Sequence, residues 1–377
     1  MIIDKQEYVG QAEVSQETKE TATNALYLYG VLEESKVFQD WKLSQPESYK
    51  IYRKNWMTRP SESKFGDYPL SLNVEVTTRC NLACTFCWHR ELDGGAKFDM
   101  DYDLFKKVID ESAENSIPAV NLNGLGEPLM HPQLIDMIKY CKKKGIPEVM
   151  FHTNATIMNE KIAKELIDAG LDVIIFSLDS PNKETYEGMR IKASFDSVQK
   201  NVETFLKVRN QMKNIKPFVR ATMVLTDKTV DQVDDFIAKW TNKVDAITVQ
   251  DLLFAANSDS GGDDDDKFRG EENSRITINT KTIMGFQKVN NIAFKCPYLY
   301  QSLKIKSSGN VVACSPREAP HLGHVNDSLK GIWHGDTISY LREKHEKGEW
   351  MDIKECASCD IPYMEINRMM NDVEFTK

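Results

Sequence analysis

Between residues 71 and 250 the sequence alternates between short apolar runs rich in β-formers and longer segments with helical periodicity. The β-rich runs are residues 72–78, 119–123, 148–152, 172–178, 217–225 and 246–250. The helical segments between them are residues 101–115, 133–144, 159–169, 196–212 and 231–241. Six strands that alternate with helices predict βαβ units and a parallel sheet of the α/β class. Such a sheet binds its ligands at the carboxyl ends of its strands.

Residues that are typical of helix starts and helix ends lie at the boundaries of several of these helical segments. Asp99 and Asp101 precede the first helical segment and Asn159 opens the third; short polar side chains of this kind cap helix N-termini. Gly145 and Gly170 follow two of the segments, where glycine supplies the left-handed turn that ends a helix. These signals support the predicted helix boundaries.

The flanking segments divide the chain into four predicted parts. These are an N-terminal helical extension, the α/β region, an acidic Gly- and Ser-rich loop and linker, and a C-terminal domain, at residues 1–70, 71–256, 257–285 and 286–377. Within the extension, residues 15–36 have an approximate apolar stripe and are expected to form a helix. The aromatic and basic residues 49–56 are expected to form another helix that packs on the main domain.

The net charge and the hydropathy of the chain argue against two classes, nucleic-acid-binding proteins and membrane-spanning proteins. A formal net charge of −9 argues against general nucleic-acid binding, which needs a basic face. No apolar run approaches the ~18–20 residues of a membrane helix, and the polar N-terminus lacks the apolar core of a signal peptide. We therefore expect a cytoplasmic protein with no membrane or nucleic-acid partner. In that compartment the eight cysteines are expected to be metal ligands, catalytic groups or buried residues.

Three cysteines, Cys80, Cys84 and Cys87, follow the first predicted strand with C-x3-C-x2-C spacing. Three thiolates on one loop can bind three irons of a [4Fe–4S] cluster and leave the fourth iron open to a reactant. Zinc is the alternative metal, because His89 offers a fourth ligand for a closed tetrahedral site. The count of ligands alone leaves both metals open.

This motif, with Phe86 before its third cysteine, resembles the signature of the radical S-adenosylmethionine (SAM) superfamily. The resemblance implies a partial (β/α)6 TIM-like barrel in which SAM binds the open iron. It also implies that one electron from the reduced cluster cleaves SAM to a 5′-deoxyadenosyl radical, which abstracts a hydrogen atom from the substrate. An electron donor such as flavodoxin or ferredoxin is then an expected partner.

The strand ends that follow carry the residues expected to contact SAM. Gly124, Gly126 and Glu127 resemble the family's GGE motif, although the sequence here reads G-L-G-E. The glycines permit a close approach of the backbone, and Glu127 is expected to accept a hydrogen bond from the methionyl amino group. Arg190 is expected to bind the SAM carboxylate. The remaining expected cofactor-binding residues are Phe86, Asn154, Ser177 and Asp179.

Five other residues near these motifs have two interpretations each. Met223 and Val224 offer apolar contacts to adenine or pack in the core. His89, His131 and His152 are hydrogen-bonded supports or acid–base groups, and the first interpretation is the more common one for such histidines. The sequence assigns no catalytic residue.

Four further cysteines, Cys296, Cys314, Cys356 and Cys359, lie in the C-terminal part. Gly309 precedes Cys314 in a predicted β-hairpin, and the last two cysteines form a C-x2-C pair. On spacing alone the four could hold a zinc ion or an iron–sulfur cluster.

This second pattern resembles the auxiliary-cluster domain called SPASM and its shortened form, twitch. Because no cysteine follows Cys359, the resemblance implies one auxiliary [4Fe–4S] cluster, ligated by all four cysteines, in a β-hairpin plus helix domain. A cluster without an open site is expected to transfer electrons. Cys141, the remaining cysteine, is expected to be buried on a helix.

These features predict a radical SAM oxidoreductase that dehydrogenates a small polar metabolite such as a sugar or an aminocyclitol. The alternative is a maturase that modifies a ribosomal peptide or a protein side chain. Residues 1–70 show no clear strand pair for a leader-binding winged-helix module, which favours the small molecule. An alternative of another class is a zinc-binding protein without enzymatic activity.

Overall fold

A computed structural model describes residues 28–87, 89, 98–251, 293–314, 319–359 and 361–362. Its strands are β1 Leu28–Glu34, β2 Ser71–Val74, β3 Ala119–Asn121, β4 Glu148–Thr153, β5 Val173–Ser177, β6 Phe218–Leu225, β7 Ala246–Asp251, β8 Ser302–Ile305, β9 Asn310–Val312 and β10 His321–His324. Its helices are α1 Lys36–Ser44, α2 Glu47–Ser61, α3 Tyr102–Glu114, α4 Leu134–Lys143, α5 Glu160–Asp168, α6 Lys183–Met189, α7 Phe195–Gln211, α8 Val233–Trp240, α9 Tyr298–Gln301, α10 Leu329–Trp333, α11 Asp336–Glu346 and α12 Lys354–Ala357. Single 3-10 turns cover Pro128–Met130, Val230–Gln232 and Trp350–Asp352.

Strands β2 to β7 lie side by side in chain order, and each pairs in parallel with the next. Helices α3 to α8 lie in the connections between them, as the alternation of the sequence predicts. This arrangement confirms the partial (β/α)6 barrel. Strand β2 is shorter than expected and ends at Val74. The chain then continues into the loop that carries Cys80, Cys84 and Cys87, which we call the cysteine loop.

The predicted cap residues act as expected, with one exception. The Asp101 side chain accepts from two backbone N–H groups at the start of α3, and Asn159 caps α5. Gly145 and Gly170 end their helices with φ of 82° and 83°. Asp99 is not a cap: its carboxylate binds the side chains of two residues that precede the first cysteine.

Alternate residues of the barrel strands face opposite sides of the sheet. The outward side packs on the helices and forms the main apolar core, which includes Phe151, Phe176 and Met223. The core-packing interpretation therefore applies to Met223, whereas Val224 lies on the inward side. Cys141 is fully buried in the same core from α4, as predicted.

The N-terminal segment closes the base of the barrel, where the strands begin. Phe38 of α1 contacts Phe218 of β6 with ring centroids 4.4 Å apart. Tyr49 and Tyr52 of α2 donate to the carboxylate of Glu148 at 2.9 and 3.3 Å. Aromatic rings and a buried polar contact therefore fill the amino-terminal end of the barrel interior.

The expected helix over residues 15–36 is wrong for residues 28–34, which form strand β1. This strand pairs antiparallel with β7, so the N-terminal extension is not wholly helical. Residues 15–27 lie outside the described residues. The expected helix over residues 49–56 lies within α2.

The C-terminal part continues the same sheet. Strand β8 pairs in parallel with β2 at the other edge of the barrel, and β9 and β10 follow it as antiparallel neighbours. Trp333 of α10 is fully buried, and its indole N–H donates to the backbone carbonyls of Phe65 and Gly66 at 3.3 and 3.2 Å. The C-terminal part is thus attached to the barrel by strand pairing and by a buried tryptophan.

Two further predictions concern the acidic linker and membrane-spanning helices. Residues 257–285, predicted as an acidic linker, lie outside the described residues. None of the helices in the described ranges combines the length and the apolar character that crossing a bilayer requires.

Candidate functional site

Cys80, Cys84 and Cys87 lie on the loop that joins β2 to α3. Backbone hydrogen bonds of 3.1 and 2.9 Å, donated by Ala83 and Thr85, fix this loop to carbonyls at the end of α6 and just after it. Cys84 is buried, and the other two cysteines are half-buried. The loop is therefore held at the carboxyl ends of the strands, where the α/β architecture places ligands.

The three thiols lie near enough to one another to interact electrostatically. Burial raises the pKa of each, to about 11 for Cys84. Negative charge on Cys80 and Cys87 would raise the pKa of Cys84 further, whereas the guanidinium of Arg190 opposes the rise at all three sulfurs. None of the chain's eight cysteines forms a disulfide. Three close thiols beside a cation fit a cluster that is bound by thiolates, because coordination deprotonates the thiol.

Glu127 connects this loop to the ends of β3 and β4. The residue is 3% exposed, and its carboxylate accepts from the Thr153 hydroxyl at 2.7 Å and from the N–H groups of Asn154 and Leu129 at 2.7 and 3.2 Å. Its own N–H donates to the carbonyl of Arg79 at 2.8 Å. Burial raises the pKa of Glu127, and the three donors oppose that rise. A carboxylate has about four acceptor positions, so among the described residues one position on Oε2 has no donor and could accept from a ligand.

The two glycines before Glu127 permit a close approach between loops. A Cβ atom at Gly126 would lie 2.4 Å from the carbonyl oxygen of Thr77 and 2.6 Å from that of Arg79. A Cβ atom at Gly124 would lie 2.3 Å from the side chain of Glu75. The clash at Gly126 involves backbone atoms of the cysteine loop, which cannot rotate away.

Substituting Gly126→Ala will therefore displace the cysteine loop and reduce SAM binding. Overpacking of this kind costs about 1–3 kcal/mol. The matched control is Gly188→Ala, because a Cβ atom at that helical position meets no atom within 4 Å. Equilibrium dialysis with SAM, on protein reconstituted with iron and sulfide, measures the effect. Equal SAM affinity in the two variants would contradict the close-packing argument.

Asn154 ties the end of β4 to the cysteine loop. Its side-chain N–H donates to Asn81 at 3.0 Å and lies 3.9 Å from the sulfur of Cys80. Its side-chain oxygen accepts from the backbone and hydroxyl of Thr156 at 2.9 and 2.6 Å. Ser177 ends β5 and faces inward, half-buried. The structure thus places both predicted residues at the site, with Asn154 engaged in holding loops together.

Asp179 and Arg190 form a buried ion pair beside the cysteine loop. The Arg190 Nε donates to one Asp179 oxygen at 2.6 Å, and the N–H of Val224 donates to the other at 3.1 Å. An Nη atom of Arg190 lies 3.9 Å from the sulfur of Cys84, and the guanidinium lies 5.7 Å from the ring centroid of Phe86. Asp179 therefore orients Arg190, whose terminal nitrogens point toward the cysteine site.

Two of the nearby histidines are hydrogen-bonded supports in this structure. His131 is 4% exposed; its Nε2 lies 3.1 Å from the Met100 carbonyl, and its Nδ1 accepts from the N–H of Gln133. These partners fix one neutral tautomer. The Nε2 of His89 lies 2.7 Å from the carbonyl of Thr78 and donates to it.

The second set of cysteines also converges. Cys296 precedes α9, Cys314 follows β9, and Cys356 and Cys359 lie in and just after α12. Burial raises the pKa of Cys296 to about 12 and that of Cys314 well above its usual range. Negative charge on the other three cysteines would raise the pKa of Cys314 further. Four thiols that act on one another fit a fully ligated metal centre.

The spacing of these groups bears on the choice of metal. A zinc site places four ligands around one ion at about 2.0–2.3 Å. In a [4Fe–4S] cluster each thiolate binds its own iron, so the ligands surround a larger space.

His345 of α11 is a residue at the second set that the sequence did not predict. Its Nδ1 donates to the Phe294 carbonyl at 2.8 Å, which leaves the Nε2 lone pair 3.3 Å from the sulfur of Cys356. Burial lowers the pKa of His345 to about 4, so the ring is neutral near pH 7. The sequence spacing carries no signal for this contact, because it depends on how α11 packs against α12.

A row of hydroxyl groups lies on the inward side of the barrel and begins at the carboxyl end of β5. Strand register places Ser177 next to Thr222 of β6, and Thr222 next to Thr248 of β7. We call these three residues the hydroxyl row. Thr222 and Thr248 are 3% and 2% exposed, and within the described part of the chain their hydroxyls have no hydrogen-bond partner. The Oδ1 of Asn121 on β3 is likewise buried and unpartnered there.

Glu75 links this interior to the C-terminal part. One carboxylate oxygen accepts from the N–H and the hydroxyl of Ser307 at 3.3 Å each, and the other accepts from the N–H of Leu125 at 3.3 Å. Lys304 of β8 is 7% exposed; burial lowers its pKa to about 8, and Glu75 opposes that change. The carboxylate of Glu75 therefore holds both the loop that contains Gly124 and Gly126 and the turn between β8 and β9.

Comparison with known families agrees with both cysteine sites. The family model of the radical SAM superfamily matches residues 74–239, and the model of the iron–sulfur cluster-binding domain SPASM matches residues 296–360. The two domains imply a [4Fe–4S] cluster, an auxiliary cluster and SAM as cofactors. The second match favours iron–sulfur over zinc for the four C-terminal cysteines.

Two curated relatives and one solved structure are similar to this chain. A protein from Pyrococcus furiosus, described as modifying the cofactor of tungsten-containing aldehyde ferredoxin oxidoreductase, is 32% identical over 190 residues, which are 48% of this chain and 51% of that protein. A probable GTP 3′,8-cyclase from Methanococcus maripaludis is 29% identical over 186 residues, which are 49% and 59% of the two chains. The chain thus spans between 51% and 59% of the length of these relatives.

The solved structure is SuiB from Streptococcus suis, with a TM-score of 0.54 and 15% identity, covering 87% of this chain and 80% of that one. SuiB has also been crystallised with SAM. At this identity the likeness concerns the fold, and it agrees with the barrel and its C-terminal extension. On the matches of its two domains, supported by the cysteine loop and the four converging thiols, the chain belongs to the radical SAM superfamily and carries a C-terminal SPASM domain.

Proposed function

We propose that this protein oxidises a small polar metabolite, such as a sugar or an aminocyclitol, by radical SAM chemistry. The observation that carries the substrate class is the hydroxyl row. A buried polar group without a partner costs about 1–3 kcal/mol. The hydroxyls of Thr222 and Thr248 are two such groups on the inward side of the barrel. They favour a substrate whose polar groups form the hydrogen bonds that these hydroxyls lack.

When bound, SAM and its cluster would supply the radical chemistry that removes a hydrogen atom from the substrate, and the auxiliary cluster would supply an acceptor for the electron that follows. Conversion of a CH–OH group to C=O releases one hydrogen atom, one electron and one proton in total, which balances the oxidation. SAM would be converted to methionine and to 5′-deoxyadenosine, which carries the removed hydrogen atom. A flavodoxin or ferredoxin fits the role of the external one-electron donor.

The chain's residues bind and orient these components. Cys80, Cys84 and Cys87 would hold the SAM cluster, and Cys296, Cys314, Cys356 and Cys359 would hold the auxiliary cluster. The free acceptor position of Glu127 suits the SAM amino group, and the terminal nitrogens of Arg190 suit its carboxylate. Gly124 and Gly126 let the backbone approach SAM, while Asn154 and Asp179 hold the loops and Arg190 in place. Phe86 and Ser177 line the same space.

Removing the hydroxyls of the row will weaken substrate binding without destabilising the protein. Thr222→Val and Thr248→Val each remove a group that is unpartnered within the described residues, so we expect an unchanged or higher Tm. A hydrogen bond contributes about 0.5–1.5 kcal/mol, which raises KM by roughly 2- to 10-fold per substitution. Thermal unfolding and steady-state kinetics under anaerobic conditions measure the two effects.

The matched control is Thr229→Val. Thr229 is equally buried, but its hydroxyl donates to the Val224 carbonyl at 2.9 Å and accepts from the N–H of Thr226 at 2.8 Å. This substitution should lower the Tm and leave KM unchanged. A lower Tm for the Thr222 and Thr248 variants, with unchanged KM, would show that the row is structural.

The proposed oxidation is tested by incubating reconstituted enzyme, SAM and reductant with a panel of polyols, sugars and aminocyclitols and, in parallel, with a panel of peptides. The expected product is lighter than its substrate by two hydrogen atoms and forms with one 5′-deoxyadenosine. If only peptides with an oxidised or cross-linked side chain accumulate, the proposed substrate class is wrong.

A further inference from the structure

We propose that the substrate carries an anionic group, a carboxylate or a phosphate, which binds Arg220 inside the barrel. This inference rests on the proposed function and names the chemistry of the substrate further. Its basis is the position, partners and charge surroundings of Arg220.

Arg220 lies one layer below the hydroxyl row, toward the base of the barrel. On β6 it is two residues before Thr222 and therefore on the same, inward side of the sheet. Strand register places it beside Ile175 of β5 and Ala246 of β7, and Ile175 beside His152 of β4. Ile175 and Ala246 are apolar or small, and His152 is neutral near pH 7 because burial lowers its pKa to about 4. Arg220 is therefore the cation of this layer, and the strand register places Glu34 of β1 on the far side of Ala246.

The guanidinium has unused hydrogen-bonding capacity. Its Nε atom is buried, and within the described ranges it has no hydrogen-bond partner. The hydroxyls of Thr222 and Thr248 in the next layer share this property. An arginine presents donors in a fixed fork that matches a carboxylate or a phosphate. Arg220 and the hydroxyl row together therefore suit a ligand with an anion at one end and hydroxyls at the other.

The described charges around Arg220 leave one cation in excess. The carboxylates that face it are Glu34 of β1 and Glu148 of β4, and the second cation is Arg53 of α2. Glu34 already forms an ion pair with Lys42 at 2.6 Å. Two carboxylates thus face three cations, because His152 is neutral near pH 7.

The carboxylate of Glu148 is also engaged by neutral groups. Tyr49 and Tyr52 donate to its two oxygens at 2.9 and 3.3 Å. Burial lowers the pKa of Arg220, and Glu34 and Glu148 oppose that change only in part. An anionic ligand would supply the missing charge.

The test uses reconstituted holoenzyme and three probes: glycerol 3-phosphate, glycerate and neutral glycerol. Calorimetry gives Kd, and the shift in Tm gives an independent measure, because a ligand that binds the folded state stabilises it. We expect at least one anionic probe to bind more tightly than glycerol. The two anionic arms distinguish a phosphate from a carboxylate.

Arg220→Met is the decisive variant. It should weaken binding of the anionic probe by at least about tenfold, as expected for hydrogen bonds to a charged group. Without ligand its Tm should equal or exceed that of the wild type, because Met has a similar length and removes a half-buried guanidinium whose Nε has no partner among the described residues.

Arg209→Met is the matched control. Arg209 is buried, and it is paired with Asp245 and donates to the Pro217 carbonyl at 3.2 Å. This variant should lose stability and keep its affinity for the probe. The proposal is overturned if Arg220→Met binds as tightly as the wild type, if it loses stability as Arg209→Met does, or if neither anion binds more tightly than glycerol.

The same sample is assayed for release of 5′-deoxyadenosine. SAM cleavage with an unchanged Kd in Arg220→Met would defeat this inference alone. Absence of SAM cleavage in the wild type would instead defeat the proposed function.

Discussion

Replacing Cys80, Cys84 and Cys87 together by alanine will abolish the reductive cleavage of SAM. The three thiols interact electrostatically with one another and with Arg190, and Glu127 acts on Cys80. Without them the loop has no thiolate ligands for a cluster. Release of 5′-deoxyadenosine by dithionite-reduced protein should fall to the level of the enzyme-free blank. The iron content should fall by about half, because the auxiliary site is intact.

The matched control for this variant is Cys141→Ala. Cys141 is fully buried in the apolar core of α4, so its removal leaves a small cavity and a modest loss of stability. SAM cleavage should persist in this variant. Cleavage that survives in the triple variant would mean that the cysteine loop does not bind the cluster.

Replacing Cys356 and Cys359 by alanine will separate SAM cleavage from substrate oxidation. Both residues belong to the four-cysteine site, and charge on both acts on Cys314. Loss of two of four ligands should remove the auxiliary cluster. The variant should still bind SAM and release 5′-deoxyadenosine, but the oxidised product should fall below detection because its electron acceptor is missing.

Ser358→Ala is the matched control for this second variant. Ser358 lies between the two cysteines, and its hydroxyl donates to the Glu355 carbonyl at 3.3 Å. This substitution should retain both clusters and full product formation. If the double cysteine variant forms product at the wild-type rate, the auxiliary site has no part in the oxidation.

Both cysteine sites and most of the barrel could be predicted from the sequence because their signals are local. A β-rich run, a capped helix and a glycine stop recur along the chain, and each is set by neighbouring residues. The helix α6 at Lys183–Met189 was missed, since seven residues are too few for a clear periodic pattern. Its signal was Asn182, whose side chain caps it by accepting from the N–H of Thr185.

The errors arise where the structure depends on distant contacts. Residues 28–34 have a partly helical pattern, but they form a strand because β7 offers an open edge for pairing. Residues 49–56 predict that α2 packs on the main domain, but its place at the base of the barrel has no sequence signal. The same holds for the packing of α1 there and for the pairing of β8 with β2. The same is true of the contact of His345 with Cys356 and of the role proposed for Arg220, because both depend on how separate elements pack.

Anaerobic reconstitution of the full chain, followed by assay with SAM and dithionite, tests the central claim most directly. The account predicts a brown protein with about eight irons, four for each of two clusters, and release of 5′-deoxyadenosine only in the presence of reductant. A colourless protein that binds zinc and releases no 5′-deoxyadenosine would contradict it.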